Sequence, residues 1–225
     1  MSTFGEIIEP SSRNVWEDWD ENNHDDNMVQ ISWQETVEEP SHIRTLLILE
    51  GKFLAQSINQ SRNLDLINSV TDIGLKLYKV KSANDYVCVL KDYNLVLSSD
   101  IVDLLKGYIT ISDEVIAILI KPLVEFQSSG EYLQNCIVRR LSTNTHSKDI
   151  ILKYPKLEQP NILSGASAGV ICLREVLDLP ASAVVFYIEQ PEDDEICELR
   201  ELLKNLNILL DKQKPGGILD SNLYI

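Results

Sequence analysis

Three stretches of the chain place side chains at spacings that chemistry could use. Residues 165 to 169 read GASAG, the G-x-S-x-G pattern of a nucleophile elbow, with Ser167 as the nucleophile. Such an elbow needs a strand directly before it, and an acid and a histidine after it in the chain. The preceding KLEQPNIL is interrupted by Pro160, and all three histidines, His24, His42 and His146, come before Ser167. A serine without a base is a weak nucleophile, so the small residues are expected to let a helix pack closely on a sheet. The same loop could hold a phosphate at a helix N-terminus, yet it contains no lysine or arginine. The second stretch, EDDE at 192 to 195, reads as the solvated first turn of a helix, where the dipole favours acids, rather than as a general acid/base pair. The third is SNLYI, residues 221 to 225, which follows KQKPGG. Leu223, Tyr224 and Ile225 after two glycines either cover an apolar patch of the body or insert into a partner's pocket. In the second case the ring supplies area and one directed hydrogen bond, and the carboxylate after it meets a lysine or backbone donors.

Other signatures are absent: no GxxxxGK[ST], no GxGxxG after a strand and no HExxH. Cys88, Cys136, Cys172 and Cys197 are dispersed, without CxxC or a histidine at ligand spacing. They read as reduced, mostly buried thiols, not as a zinc site or disulfide frame. No cofactor, metal or catalytic set is expected.

The net charge of -15 is uneven. Residues 1 to 40 hold eleven acids and one base, Arg13, and so carry -10 of it. With no Lys/Arg stripe to compensate, phosphate backbones and anionic lipid would be repelled, which argues against nucleic-acid and membrane partners. The N-terminus lacks the basic and apolar regions of a secretory signal, and no apolar run approaches the ~20 residues of a membrane span. The chain is therefore expected in the cytoplasm, with the nucleus as a second compartment.

The elements that would position these residues fall into three parts. Residues 1 to 40 are acidic and asparagine-rich and read as largely disordered, although Trp16, Trp19 and Trp33 are costly to leave in water, so some of them should dock. Residues 41 to 212 alternate strands and helices. IRTLLILEG, GLKLYKV (74 to 80), YVCVLK (86 to 91), EVIAILI (114 to 120) and ASAVVFYIEQ read as strands, with a hairpin between YVCVLK and NLVLSS (94 to 99). SSDIVDLLKGY reads as a helix with its N-cap in the serines, Ile101, Leu104 and Leu105 on one face, and Gly107 closing it. In LSGASAGVICLREVLDL the spacing predicts a helix with Val170, Leu173 and Leu177 on one face, stopped by Pro180. Residues 191 to 212 form an amphipathic helix opened by Pro191, with Ile196, Leu199, Leu203, Leu206 and Leu210 as its stripe. Residues 127 to 149 are polar and resist assignment. The pattern predicts a three-layer α/β/α domain with a mainly parallel sheet, followed by a flexible tail over 213 to 225.

STFGEII near the start, LEQPNI (157 to 162) with the alanine-containing helix and PASAVVFYI after it, and the closing SNLYI occur in an order that resembles the proteasome assembly chaperone family. The middle, roughly 52 to 150, is similar only in hydrophobic texture. The resemblance implies a catalytically inactive α/β/α domain that forms a heterodimer with a second member, proteasome assembly chaperone 2. The pair would bind the proteasome α-ring, promote assembly of the 20S core particle and block premature activator docking. The family's hydrophobic–tyrosine–any-residue tail carries over to Leu223, Tyr224 and Ile225, which would enter a pocket between α-subunits with the Ile225 carboxylate facing a lysine. A β-branched apolar last residue, where the family has a small polar one, is a departure. Two other functions are compatible with the residues: a regulator of mature proteasomes using the same tail, and a small serine hydrolase built on Ser167.

Overall fold

The computed structural model describes residues 31–208 apart from 39, 59–60, 62, 129–134, 146–147 and 190–192. The expectations for Trp16, Trp19, His24, His146, Pro191, Glu192, Leu210 and the tail, and for the side chains of Ile196 and Cys197, lie outside the described residues.

Seven strands form one sheet: β1 (Ile43–Glu50), β2 (Leu64–Val70), β3 (Leu75–Val80), β4 (Asp85–Leu90), β5 (Ser112–Pro122), β6 (Cys136–Ser142) and β7 (Ala181–Ile188). Their order is β2-β3-β4-β1-β5-β7-β6. The inner strands β4, β1, β5 and β7 are mutually parallel, while β3 and β6 run against their neighbours. Most strands thus share one direction, as the alternating pattern predicted, with antiparallel pairings towards both edges. The inner strands are near-continuous runs of Ile, Leu and Val because both of their faces are covered.

Helices form the outer layers: α1 (Lys52–Ile58), α2 (Ser98–Thr110), α3 (Asp149–Leu152), α4 (Ala166–Val176) and α5 (Asp193–Asn205). Alternation along the strands splits the core in two. Leu46 and Ile48 of β1 join Val115, Ala117, Val185 and Tyr187 beneath α2 and α4. Leu47 and Leu49 join Ile116, Ile118, Val184 and Phe186 against α1, α3 and α5. Each fully buried Leu or Ile contributes roughly 1.5–3 kcal/mol, so the two clusters dominate the fold's stability. The layered α/β/α expectation holds.

Five local readings are corrected. NLVLSS is not a hairpin strand: the Asn94 side chain accepts from the Val96 amide at 3.1 Å and opens a 3-10 turn over Leu95–Leu97. The strand partners of β4 are instead β3 and β1, and β2, which pattern reading missed, pairs with β3 across a bulge between Leu66 and Asn68. Helix α2 has no side-chain N-cap bond and runs past Gly107 to Thr110, since Tyr108 and Ile109 extend its buried stripe by a further turn. In α4 the buried stripe is Ala166, Ser167, Val170, Ile171 and Arg174, while Leu173 is only partly buried and Leu177 is exposed beyond the helix end. Pro180 does not stop α4. Asp178 at φ 54° does, with Leu179 N–H donating to Arg174 C=O at 2.9 Å and Asp178 N–H to Glu175 C=O at 3.1 Å. Helix α5 does not run to residue 212 as expected but ends at Asn205 in the same way, with Asn207 at φ 62° and Ile208 N–H donating to Leu203 C=O at 2.9 Å.

The polar stretch after 127 contains β6, whose Arg140 amide is met by Pro155 C=O at 2.8 Å. At the opposite edge Trp33 packs edge-on against Tyr108, with ring centroids 6.0 Å apart. One of the three tryptophans therefore docks on the core, and the folded body takes in residues from Ile31 onward. Cys88 is buried and Cys136 half-buried, but Cys172 is exposed, contrary to the expectation of mostly buried thiols.

Candidate functional site

Parallel inner strands bring their carboxyl ends to one edge of the sheet, where doubly wound folds hold ligands. The chain leaves β1 towards the β2–β4 side and returns at β5 on the other, so the strand order reverses at β1/β5. Ser167 stands at this edge, in the first turn of α4, but not as an elbow. The residue before it in space is Glu50, the last of β1 and 117 positions away in sequence. The Glu50 Oε2 accepts from the Ser167 hydroxyl at 2.5 Å and from its amide at 3.3 Å. Glu50 Oε1 accepts from the Tyr93 hydroxyl at 2.7 Å, and the Tyr93 oxygen in turn accepts from the Ala166 amide at 2.7 Å. Burial is the main cause that pushes the Tyr93 phenol up, so it stays a neutral donor at physiological pH.

The surroundings leave this group no room to take a substrate. Ser167 is fully buried. Gly165 adopts φ +87°, and a Cβ there would lie 2.6 Å from the Tyr93 oxygen and 2.9 Å from Glu50 Oε1. His42 lies at the other edge, before β1, with Nε2 2.8 Å from Asp113. Among the described residues, then, Ser167 has a carboxylate acceptor and no imidazole. The glycine pattern marks close packing, as its composition suggested. What pattern reading missed is the acid that fills the helix terminus; a glutamate closing an apolar strand was the one available signal.

Around this edge the loops expose apolar side chains. Leu95 and Val96 follow β4, Val124 follows β5 and Ile162 precedes α4; they are 59–88% exposed. Two of these loops are tied together, since the Asn161 amide group bonds both N–H and C=O of Gln127 at 2.8 Å. Beneath them Phe126 packs on Tyr187, and the Arg139 guanidinium lies 5.0 Å over the Phe126 ring. Arg139 also grips Glu158 through two bonds of 2.8 and 3.0 Å, which hold the Glu158 carboxyl below its usual range. On the other face of the same edge a crevice of about 250 Å³ opens between α1 and α5, lined by Phe53, Ile120, Lys121, Pro122, Ile188, Glu189 and Leu199. Leu223, Tyr224 and Ile225 lie outside the described residues, so their expected role stands on sequence.

No protein-family model and no curated protein matches the chain. Solved structures match it in fold. A protein of unknown function from Thermoplasma acidophilum superposes with a TM-score of 0.55 at 10% identity, covering 77% of this chain and 80% of its own. PbaA of Pyrococcus furiosus, an archaeal homolog of proteasome-assembly chaperone, gives 0.54 at 13% identity, covering 77% and 81%. PbaB of the same organism, an archaeal proteasome activator, gives 0.52 at 11% identity, covering 81% and 91%. At these identities the likeness is one of fold: this chain shares their architecture over most of both lengths.

Proposed function

We propose that the chain is an assembly chaperone of the proteasome and acts by binding rather than catalysis. The observation that carries the reading is the fold shared with PbaA over most of both chains. It agrees with the stretches STFGEII, LEQPNI, PASAVVFYI and SNLYI, which resemble the proteasome assembly chaperone family. The carboxyl edge, where an enzyme of this layout would hold its substrate, is filled by Glu50 and Ser167. In the finer form of the proposal the chain takes the part of proteasome assembly chaperone 1, pairs with proteasome assembly chaperone 2, and meets the α-ring through its folded body. Exposed Leu95, Val96, Val124 and Ile162 give that body apolar area for such a contact.

The tail supplies register. Leu223 adds apolar contact, Tyr224 fills a pocket between α-subunits and the Ile225 carboxylate meets a lysine there. Two tails on one heterodimer gain by effective concentration, and an occupied pocket cannot accept an activator with a similar tail. Deleting residues 223 to 225 is expected to weaken binding to purified α-ring about tenfold, or about 1.4 kcal/mol, with an unchanged melting temperature. A lowered melting temperature with unchanged binding would show the tail to be core packing and sink this part.

A second reading, a regulator of mature proteasomes, is favoured by the comparable likeness to PbaB, an archaeal proteasome activator. Recovery of the protein from cells separates the two. Precursor particles with unprocessed β-subunits mark a chaperone; mature particles alone mark a regulator.

A further inference from the structure

A helix N-terminus at the carboxyl end of an inner strand is where this type of fold places the anion of a ligand, because unpaired amides and the helix dipole face it. In this chain the position is occupied from within. Ser167 N–H, Ser167 Oγ–H and Tyr93 O–H all donate to the Glu50 carboxylate, and Ala166 N–H donates to Tyr93. We infer that Glu50 is a resident anion: it fills the fold's ligand position with the chain's own carboxylate and thereby locks the loop after β4 to the loop before α4. Those loops carry Leu95, Val96 and Ile162, so the lock also fixes the apolar edge.

Two features separate this from an ordinary surface hydrogen bond. First, every group facing Glu50 in the network is a donor. A carboxylate, an acceptor at both oxygens, meets all three at once. A glutamine that keeps its oxygen on the Ser167 amide, which cannot reverse, turns its NH₂ towards Tyr93, so the Tyr93 hydroxyl loses its acceptor and the remaining bonds lose their charge. Second, the space is matched to the carboxylate, since Gly165 has no room for even one added carbon beside it. Glu50 itself remains half-buried, so a small ion can reach the position if the side chain is shortened.

Glu50→Ala removes one methylene and one carboxylate, the atoms of acetate. The full chain is melted as wild type, Glu50→Ala and Glu50→Gln, each in sodium chloride and in sodium acetate at the same ionic strength and pH 7. In chloride both variants are expected to melt roughly 5 °C or more below wild type. On the order of 100 mM acetate should restore at least half of that loss to Glu50→Ala by mass action. Wild type and Glu50→Gln, whose position is filled, should melt alike in the two salts. Should Glu50→Ala not fold in chloride, the comparison becomes recovery of folded signal on refolding in each salt. The inference is overturned if acetate gives Glu50→Ala no more than chloride does, or if Glu50→Gln melts with wild type. Proteasome binding enters none of these readings, so the outcome is independent of the chaperone proposal.

Discussion

Arg174 is among the largest fully buried side chains of the described residues, and it spends all its donors on the backbone. Nη1 donates to Ile109 C=O at 2.9 Å and Ser112 C=O at 2.8 Å; Nη2 donates to Asp113 C=O at 2.9 Å and Pro180 C=O at 2.8 Å; Nε reaches Pro180 C=O at 3.2 Å. One guanidinium thereby joins the end of α2, the start of β5 and the turn into β7. Burial lowers its pKa, opposed by nearby Glu114 and Asp113, and it remains charged because arginine starts so high. Lysine has three donors on a single nitrogen and cannot span carbonyls on three segments. Arg174→Lys is therefore expected to lower stability by about 3 kcal/mol, read as a shift of the urea midpoint at constant slope. A loss under about 0.5 kcal/mol, the usual range for a surface change, would mean the carbonyls find other donors. The sequence pattern gave no hint of this arginine. It stands in a helix whose leucines, at 173 and 177, suggested a different inward face, and its partners are backbone oxygens, which residue types do not encode.

Among the elements, α2 and α4 lie side by side on one face of the sheet, and the small residues of GASAG set how close they come. A Cβ at Gly169 would meet Val102 Cγ2 at 2.8 Å, and a β-branched neighbour has little rotamer freedom with which to yield. Helix propensity alone favours alanine at a helix interior by about 1 kcal/mol. Overpacking costs about 1–3 kcal/mol and should win. Gly169→Ala is expected to destabilise, and adding Val102→Ala, which removes the obstructing methyls, should return most of the loss. A double-mutant cycle in urea measures the coupling; additive effects would show that the helices move apart freely. The same comparison shows which elements pattern reading could find. Strands β1, β5 and β7 were legible because burial on both faces imposes unbroken apolar runs. Helix α5 was legible because one wet face imposes a stripe. Strands β2 and β6 escaped because they are edges, where LDLINSV and CIVRRLS carry polar side chains, and the β2 ladder also shifts register. The clamp at the candidate site escaped for a related reason: Glu50, Tyr93 and Ser167 meet only through topology, not through spacing.

On the scale of the whole molecule, each edge of the sheet is met at one point by the chain's own backbone, which interrupts the template that unpaired strands offer to other chains. At β6, Arg140 exchanges bonds with Pro155 and Leu157, at 2.8 and 2.7 Å. At β2, the Gln34 amide donates to Ser69 C=O at 3.1 Å, and Asn68 holds Glu35 through bonds of 3.2 and 2.7 Å. Partners are therefore expected to meet loops and tail rather than extend the sheet. The β2 guard depends on Trp33, which anchors residues 31 to 36 on Tyr108. Two truncations isolate that contribution. A chain beginning at residue 31 keeps Trp33 as its only tryptophan, and its emission should be blue-shifted when folded and move red on unfolding. A chain beginning at residue 37 loses the anchor, four bonds to β2 and the cover over Tyr108. Burial of an aromatic and the loss of paired edge groups together give about 3 kcal/mol, so the second truncation should melt clearly below the first. It should also aggregate at lower concentration, because its β2 edge is open. Equal melting temperatures and equal solubility for the two truncations would show that residues 31 to 36 merely rest on the surface, and that the folded body guards its edge by some other means.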